Sequence, residues 1–277
     1  MTAPASADLD LTVILVNYRS LGNVEARLRS DALSGQHVIV VDNGDDPDGV
    51  KRVCGAHDAT ALLLGQNLGF AAAVNRAVDS AGAPATRPWL LLNPDVDLDR
   101  TQLATLALHL QPGVTGVAPL LAGADGRLQV GAAGGPLTLG SVTAYFLFLS
   151  HLLPWLHGMF LTRRQSTRAQ DVDWLCMACL LLAPDAFERF GPVPEDELVY
   201  AEDVAWGTAA TVRGARFRLA PEVTVRHDRG SSGAGARWIG ALERLCRRRL
   251  GGWRGRAAIA AIRVGLGVRR ALGRTVT

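Results

Sequence analysis

Three groups of side chains in this sequence are of the types that catalysis uses. Asp95 and Asp97 closely follow the apolar run Trp89-Leu90-Leu91-Leu92. Carboxylates fixed at the end of such a run suit a hard divalent cation, Mg²⁺ or Mn²⁺, that carries a diphosphate. As a Lewis acid, that cation neutralises charge on a leaving group. Pro94 fixes its own φ and biases Asn93 toward an extended form, so the two flanking side chains are presented rigidly. Asp99 precedes a helix-like stretch and reads as sitting near its N-cap. The second group is Glu202 and Asp203, after an acidic loop containing Pro192, Pro194, Glu195, Asp196 and Glu197. The third is His227, at the end of the short β-rich segment 223–225. Asp203 suits a general base for a hydroxyl, and a neutral His227 suits a metal. Read in isolation, a solvated acidic loop and an ordinary strand-end histidine account for the same residues.

These groups need a scaffold. Short apolar runs at 11–16, 38–41, 61–64 and 89–92 alternate with helical stretches at 21–33, 70–80 and 101–110. This pattern predicts an α/β fold whose mainly parallel sheet is covered by helices on both faces. The ligand crevice of such a sheet lies beyond the C-terminal ends of its strands. The residues there are Asn17-Tyr18-Arg19-Ser20, Asp42-Asn43-Gly44-Asp45-Asp46, Gly65-Gln66-Asn67-Leu68-Gly69-Phe70 and Asn93-Pro94-Asp95-Val96-Asp97. Any one of these reads as a turn; four at one sheet edge point to a binding site.

The chain has 277 residues, 48% of them hydrophobic and 20% charged, which excludes disorder as its main state. It is long enough to fold without disulfides or a structural metal. Cys54, Cys176, Cys179 and Cys246 do not form a disulfide framework, and no N-terminal signal peptide is visible. Cys176 and Cys179 lie in the run WLCMACLLLA, which reads as a buried strand rather than a zinc half-site. The cysteine usage fits a reducing, cytoplasmic compartment.

The order NYRS, VVDN, NLGFAAAVN, LLNPDVD, DVDWLCMAC, VYAEDV and VRHDRGSS resembles the inverting glycosyltransferases of family 2, most of all their rhamnosyltransferase-like bacterial branch. The resemblance covers roughly residues 9–233. It implies a GT-A fold, a Rossmann-like sheet with a nucleotide-sugar half at about 9–120 and an acceptor half at about 121–233. It implies that Asp42 contacts the nucleotide base, that Asn17 and Tyr18 lie in the loop packed on that base, and that Asn67, Gly69 and Asn75 line the donor pocket. Asn93 and Asp95 match the outer positions of the family's metal-binding DxD, with Asp97 close by. Asp203 matches the catalytic base, Glu202 its support, and His227 the histidine that completes the metal site. Trp174 and Met177 fall on the acceptor side. The implied donor is dTDP-rhamnose or a UDP-sugar, and the implied acceptor a saccharide, cell-envelope or polyprenyl-linked. The chain departs from the family at Ala205 and Ala209, where an acid and an arginine are usual, at Met177, where a glycine is usual, and at the loop Gly191-Pro192-Val193-Pro194-Glu195. A catalytically degenerate binding or scaffold protein is the alternative these departures motivate. A sugar-phosphate nucleotidyltransferase is disfavoured, because NYRSLGN is not a Gly-rich loop with a basic residue.

Two segments stand apart. Residues 128–162 carry no Asp, Glu, Lys or Arg, and within them 137–161 is long enough to span a bilayer on length alone. Gly140, Pro154, His151 and His157 favour instead a helical insertion on the acceptor side that packs on the core or dips into a membrane interface. Residues 237–277 hold eleven arginines against one acid, Glu243, a net +10 that leaves −7 on the first 236 residues. Segment 234–277 lays out as a helical tail, with Trp238, Leu242, Leu245 and Leu250 as one apolar stripe and Ile259, Ile262 and Leu266 as another, broken at Gly251-Gly252. Through 236–277 it is expected to contact an anionic membrane, at the inner face of the cell membrane; the bland reading is a helix packed back on the acidic body. Nucleic acid is not an expected partner. On this reading the tail is extra to the catalytic blocks.

Overall fold

The computed structural model describes residues 9–82, 86–153, 155–196, 200–228 and 234–273. Residues 1–8, Pro154, Glu197, and Gly230 and Ser232 of the VRHDRGSS block lie outside them. The first half alternates strand and helix: β1 (Thr12–Asn17), α1 (Leu21–Leu28), β2 (His37–Asp42), α2 (Pro47–Ala56), β3 (Thr60–Leu63), α3 (Phe70–Ala81), β4 (Trp89–Leu92), the short β5 (Val96–Asp97) and α4 (Arg100–His109). The second half runs β6 (Gly116–Ala122), β7 (Ala133–Gly134), α5 (Leu139–Phe146), α6 (Leu149–Leu152), β8 (Gln170–Val172), β9 (Trp174–Leu175), β10 (Cys179–Leu182), α7 (Ala186–Phe190), α8 (Glu202–Val212) and β11 (Phe217–His227). Helices α9 (Ala234–Leu250) and α10 (Gly252–Ala271) follow.

The main sheet has the order β3-β2-β1-β4-β10-β6-β11-β5, with β8 also paired to β11. Strands β1 to β4 are mutually parallel. Strand β10 enters antiparallel between β4 and β6, and β11 runs parallel to β6. Side chains alternate across the pleat. Ile14, Ile39, Val41 and Leu91 therefore face a core shared with α3, α7 and α8. Val13, Leu15, Val40 and Leu90 face a second core shared with α1, α2 and α4. Burial on both faces is why these strands read as continuous apolar runs.

Helix starts follow their caps. Asp46 accepts from the Gly49 N–H at 2.9 Å, with Pro47 at the first position of α2. The sequence gives this helix the look of a turn cluster. Asp99 accepts from the Gln102 N–H at 2.7 Å while the Gln102 side chain accepts from the Asp99 N–H at 3.0 Å, a reciprocal cap on α4.

Segment 137–161 is not one helix. Phe148, at φ 64°, separates α5 from α6, and among the described residues no helix is long and apolar enough to cross a membrane. Instead α5 builds a third core with the tail: Val142, Phe146 and Trp174 meet Leu242, Leu245, Ile262 and Leu266. The α5 and α10 backbones touch closely enough that a Cβ on Gly265 would stand 2.1 Å from the Phe146 carbonyl oxygen. Beside it Arg269 is buried; its guanidinium donates to the Phe146 carbonyl at 3.2 Å and the Tyr145 carbonyl at 3.4 Å, and lies 4.3 Å over the Phe148 ring. The first bond satisfies a carbonyl at the end of α5, where the helical ladder stops; the second adds to a Tyr145 carbonyl that already accepts from the Phe148 N–H at 3.2 Å.

Candidate active site

The end of β4 and the end of β11 meet through β5. Val96 pairs with His227 and Asp97 with Arg226, which brings Asp95 beside the imidazole. Asp95 Oδ1 lies 3.5 Å from His227 Nε2. Gln129 holds the ring from behind: its amide oxygen accepts at 2.9 Å from Nδ1, and its amide nitrogen donates to the His227 carbonyl at 2.7 Å. With the Nδ1 proton engaged, the Nε2 lone pair faces Asp95. A carboxylate oxygen and a neutral imidazole nitrogen suit Mg²⁺ or, better, Mn²⁺. Among the described residues no group of three His, Cys, Asp or Glu side chains forms a complete cage. The pair fits a cation whose other ligands come from a substrate and water. Asp97 is not brought to this point. Strand alternation turns it the other way, where its carboxylate accepts from Arg27 at 2.7 Å.

A cavity of about 300 Å³ opens from this pair. Asn93, Asp95 and His227 line one side, Glu202 and Asp203 another. Tyr200 and Ala201 precede the acidic pair with φ of 77° and 70°. Two consecutive non-glycine residues in the left-handed region are strained, and such strain concentrates at functional sites. Burial pushes the Asp203 carboxyl up to about 6, against the opposing pull of the Val204 N–H and the Cys176 thiol, both of which donate to it. A carboxyl tuned toward neutrality is a better proton acceptor than an ordinary aspartate. The Cys176 contact was not legible in sequence, where this residue reads only as strand filling.

The remaining wall is aromatic. Trp174 and Met177, expected on the acceptor side, line the cavity with Tyr145, Phe160 and Trp238. Phe160 packs edge-on against Trp174 at 5.6 Å and Trp238 at 5.9 Å. Trp238 and Leu242 belong to α9, so the tail supplies part of the cavity. This corrects the expectation that it is extra to the site: an apolar stripe that reads as available for docking is turned inward onto the third core.

Of the expected donor residues, Asn93 lines this cavity, while Asn17, Tyr18, Asp42, Asn67 and Gly69 gather at the ends of β1 to β3, outside it. Asp42 is fully buried; its Oδ1 accepts from Asn17 Nδ2 at 3.2 Å and the Asp46 N–H at 3.2 Å, while Oδ2 has no partner among the described residues. A buried carboxylate oxygen without a partner is costly unless something donates to it. Tyr18 is exposed beside it in the β1–α1 loop, with Arg19 5.2 Å over its ring. Asn67 accepts from the Gly69 N–H and from Asn43 Nδ2, each at 3.0 Å, shaping the turn into α3. Gly69, at φ 92°, starts that helix. Asn75 is committed elsewhere: it donates to the Val193 carbonyl and Glu195 at 2.8 Å and accepts from the Val193 N–H at 2.9 Å, pinning the acidic loop to α3.

No protein-family model and no curated protein matches this chain. Solved structures do. A crystal structure of GalNAc-T7 with UDP, GalNAc and Mn²⁺ superposes with a TM-score of 0.54 at 12% identity, over 85% of this chain and 48% of that one. Crystal structures of S. aureus TarS align with TM-scores of 0.52 and 0.55 at 13% and 14% identity. The first covers 86% of this chain and 40% of TarS; the second, of TarS residues 1–349, covers 96% and 74%. The chain thus spans about half the length of the GalNAc-T7 structure. The fold is that of the GT-A glycosyltransferases.

Proposed function

We propose that this protein is a metal-dependent, inverting glycosyltransferase that moves a sugar from a nucleoside-diphosphate donor to a saccharide hydroxyl. One observation carries the reading: on a GT-A scaffold, a single cavity joins the Asp95–His227 pair to the tuned carboxyl of Asp203. Asp95 and His227 Nε2 would hold Mg²⁺ or Mn²⁺, which when bound neutralises the diphosphate. GalNAc-T7 was crystallised with Mn²⁺ and UDP, which supports the same use here.

Asp203 takes the proton of the acceptor hydroxyl as its oxygen bonds to the anomeric carbon. The bond from that carbon to the diphosphate breaks, and its electron pair leaves with the nucleoside diphosphate. One displacement inverts the configuration and needs no enzyme nucleophile. Glu202 stands beside the base at the start of α8. By the resemblance, Asp42 would contact the nucleotide base and Tyr18 would cover it; reaching the buried Oδ2 of Asp42 would need the loop over it to shift. The aromatic wall suits the apolar faces of an acceptor sugar.

The reading extends to the family branch that the sequence resembles. It names dTDP-rhamnose or a UDP-sugar as donor and a cell-envelope or lipid-linked saccharide as acceptor. The place of work is the inner face of the cell membrane. A thermal-shift screen of nucleoside diphosphates and their sugars, with and without Mn²⁺, tests it. Stabilisation grows as RT ln(1 + [L]/Kd), so a true donor raises Tm. The reading fails if no nucleotide shifts Tm in the presence of Mn²⁺.

A further inference from the structure

The outward face of α10 is two-sided. Trp253, Val264, Val268 and Leu272 are exposed along it, Trp253 at 64% and Leu272 at 61%. Along one margin of this face, nearest Trp253 and across the helix from Leu272, run Arg256, Arg263 and Arg270, all exposed and seven residues apart, so they form one row along the helix. Arg263 also bonds Glu243 on α9 at 2.9 Å.

The last turns of α10 abut the α5–α6 corner, because Gly265 lies against Phe146 and Arg269 is clamped beneath Phe148. That corner presents its own apolar side chains outward: Leu149, Leu152 at 74% exposure and Trp155 at 77%. Two segments about a hundred residues apart in sequence thus meet, each exposing apolar side chains, and the arginine row borders them on one side. Neither 137–162 nor 252–273 contains Asp or Glu.

We propose that this joined face docks on an anionic lipid bilayer. The arginine row lies among the headgroup phosphates, and Trp155, Leu152 and Leu272 enter the interface, the arrangement that interfacial helices use. A second copy of the chain is disfavoured as occupant, because a two-fold contact through this face would set arginine rows together with no carboxylate on either segment. A nucleic acid would use the arginines but gives no role to the leucines. Tyr145, one residue from the clamped Phe146, lines the catalytic cavity, so a bilayer on this face stands near the acceptor wall. Only that last consequence rests on the proposed transferase reaction; docking does not.

The experiment is co-sedimentation of the full-length protein with phosphatidylcholine vesicles with and without phosphatidylglycerol. Leu152→Ser/Trp155→Ser and Arg256→Gln/Arg270→Gln are compared with wild type, and thermal unfolding verifies that each variant folds. Wild type is expected to sediment with the anionic vesicles only. The arginine pair is expected to lower partitioning by about 25-fold, at about fivefold per arginine, and the apolar pair is expected to lower it as well. Donor turnover in solution stays at wild-type level in both. Unchanged partitioning in either folded variant overturns the proposal, as does wild type that ignores anionic vesicles. A dimer dispersed by the apolar pair, or duplex DNA bound more tightly than the vesicles, also overturns it. Lost docking with intact turnover, or intact docking with no turnover, tells the failure of one reading from that of the other.

Discussion

Asp203 carries opposite consequences for activity and stability. Its carboxyl is raised by burial to about 6, above the ordinary aspartate value. A base must be unprotonated, so kcat/KM is expected to be flat above about 6 and to fall as pH drops through it. The same shift means that the folded state binds more protons than the unfolded state between the two pKa values. The stability contribution of this group is present below the unfolded pKa and is lost as pH rises through about 6. Asp203→Asn is therefore expected to abolish most transfer, by about 10²–10⁴-fold. It should also raise stability at neutral pH by roughly 1–3 kcal/mol, a gain that vanishes in acid; thermal unfolding against pH reads both signs. Gln129 is the residue the sequence did not reveal, since a lone glutamine in a loop has no pattern. It acts only through the fold, by fixing the His227 tautomer. Gln129→Leu is expected to weaken Mn²⁺ binding in the presence of nucleoside diphosphate by about 10–100-fold, measured by calorimetry. Asp95, His227 and Asp203 stand out in the sequence because their residue types and blocks are distinctive, and the fold brings all three to one cavity. The turn of Asp97 toward Arg27 and of Asn75 toward Val193 was not legible, because sequence spacing does not say which way a side chain points.

One departure from the pattern of the family that the sequence resembles has a structural reason. Ala205, where the family has an acid, is buried in the third core with Leu242 and Ile262. A carboxylate there would lie in apolar surroundings, so alanine follows from the tail packing. The strands β1 to β4 and helices α3 and α4 were readable, since buried apolar runs and caps are local signals. The direction of β10, the start of α2 and the contact of α10 with α5 were not, because they depend on pairing across long stretches of chain. Helix α9 closes one wall of the cavity through Trp238, the wall proposed to meet the acceptor. Trp238→Ala is expected to raise the acceptor KM several-fold while leaving donor affinity unchanged; equal acceptor KM values would remove α9 from the acceptor site. Gly265→Val is expected to cost about 1–3 kcal/mol, read as a lower Tm, since the Phe146 backbone cannot give way.

At the scale of the molecule, the acidic body and the basic tail form one folded unit in the described residues, with the apolar stripes inward and most arginines outward. Shortening the chain to residues 1–233 is expected to bare Val142, Phe146 and Trp174, lower Tm and induce dye binding typical of exposed apolar surface; an equally stable shortened protein would make the tail an appendage. The central claim is that the cavity at the sheet edge transfers a sugar with Asp203 as base. The most direct test is release of nucleoside diphosphate from a panel of nucleotide sugars with Mn²⁺, for wild type and Asp203→Asn across pH. The account predicts a wild-type rate that falls below about pH 6 and a variant slower by about 10²-fold or more at every pH above it. A variant that turns over a donor at the wild-type rate, with the wild-type pH profile, would contradict it.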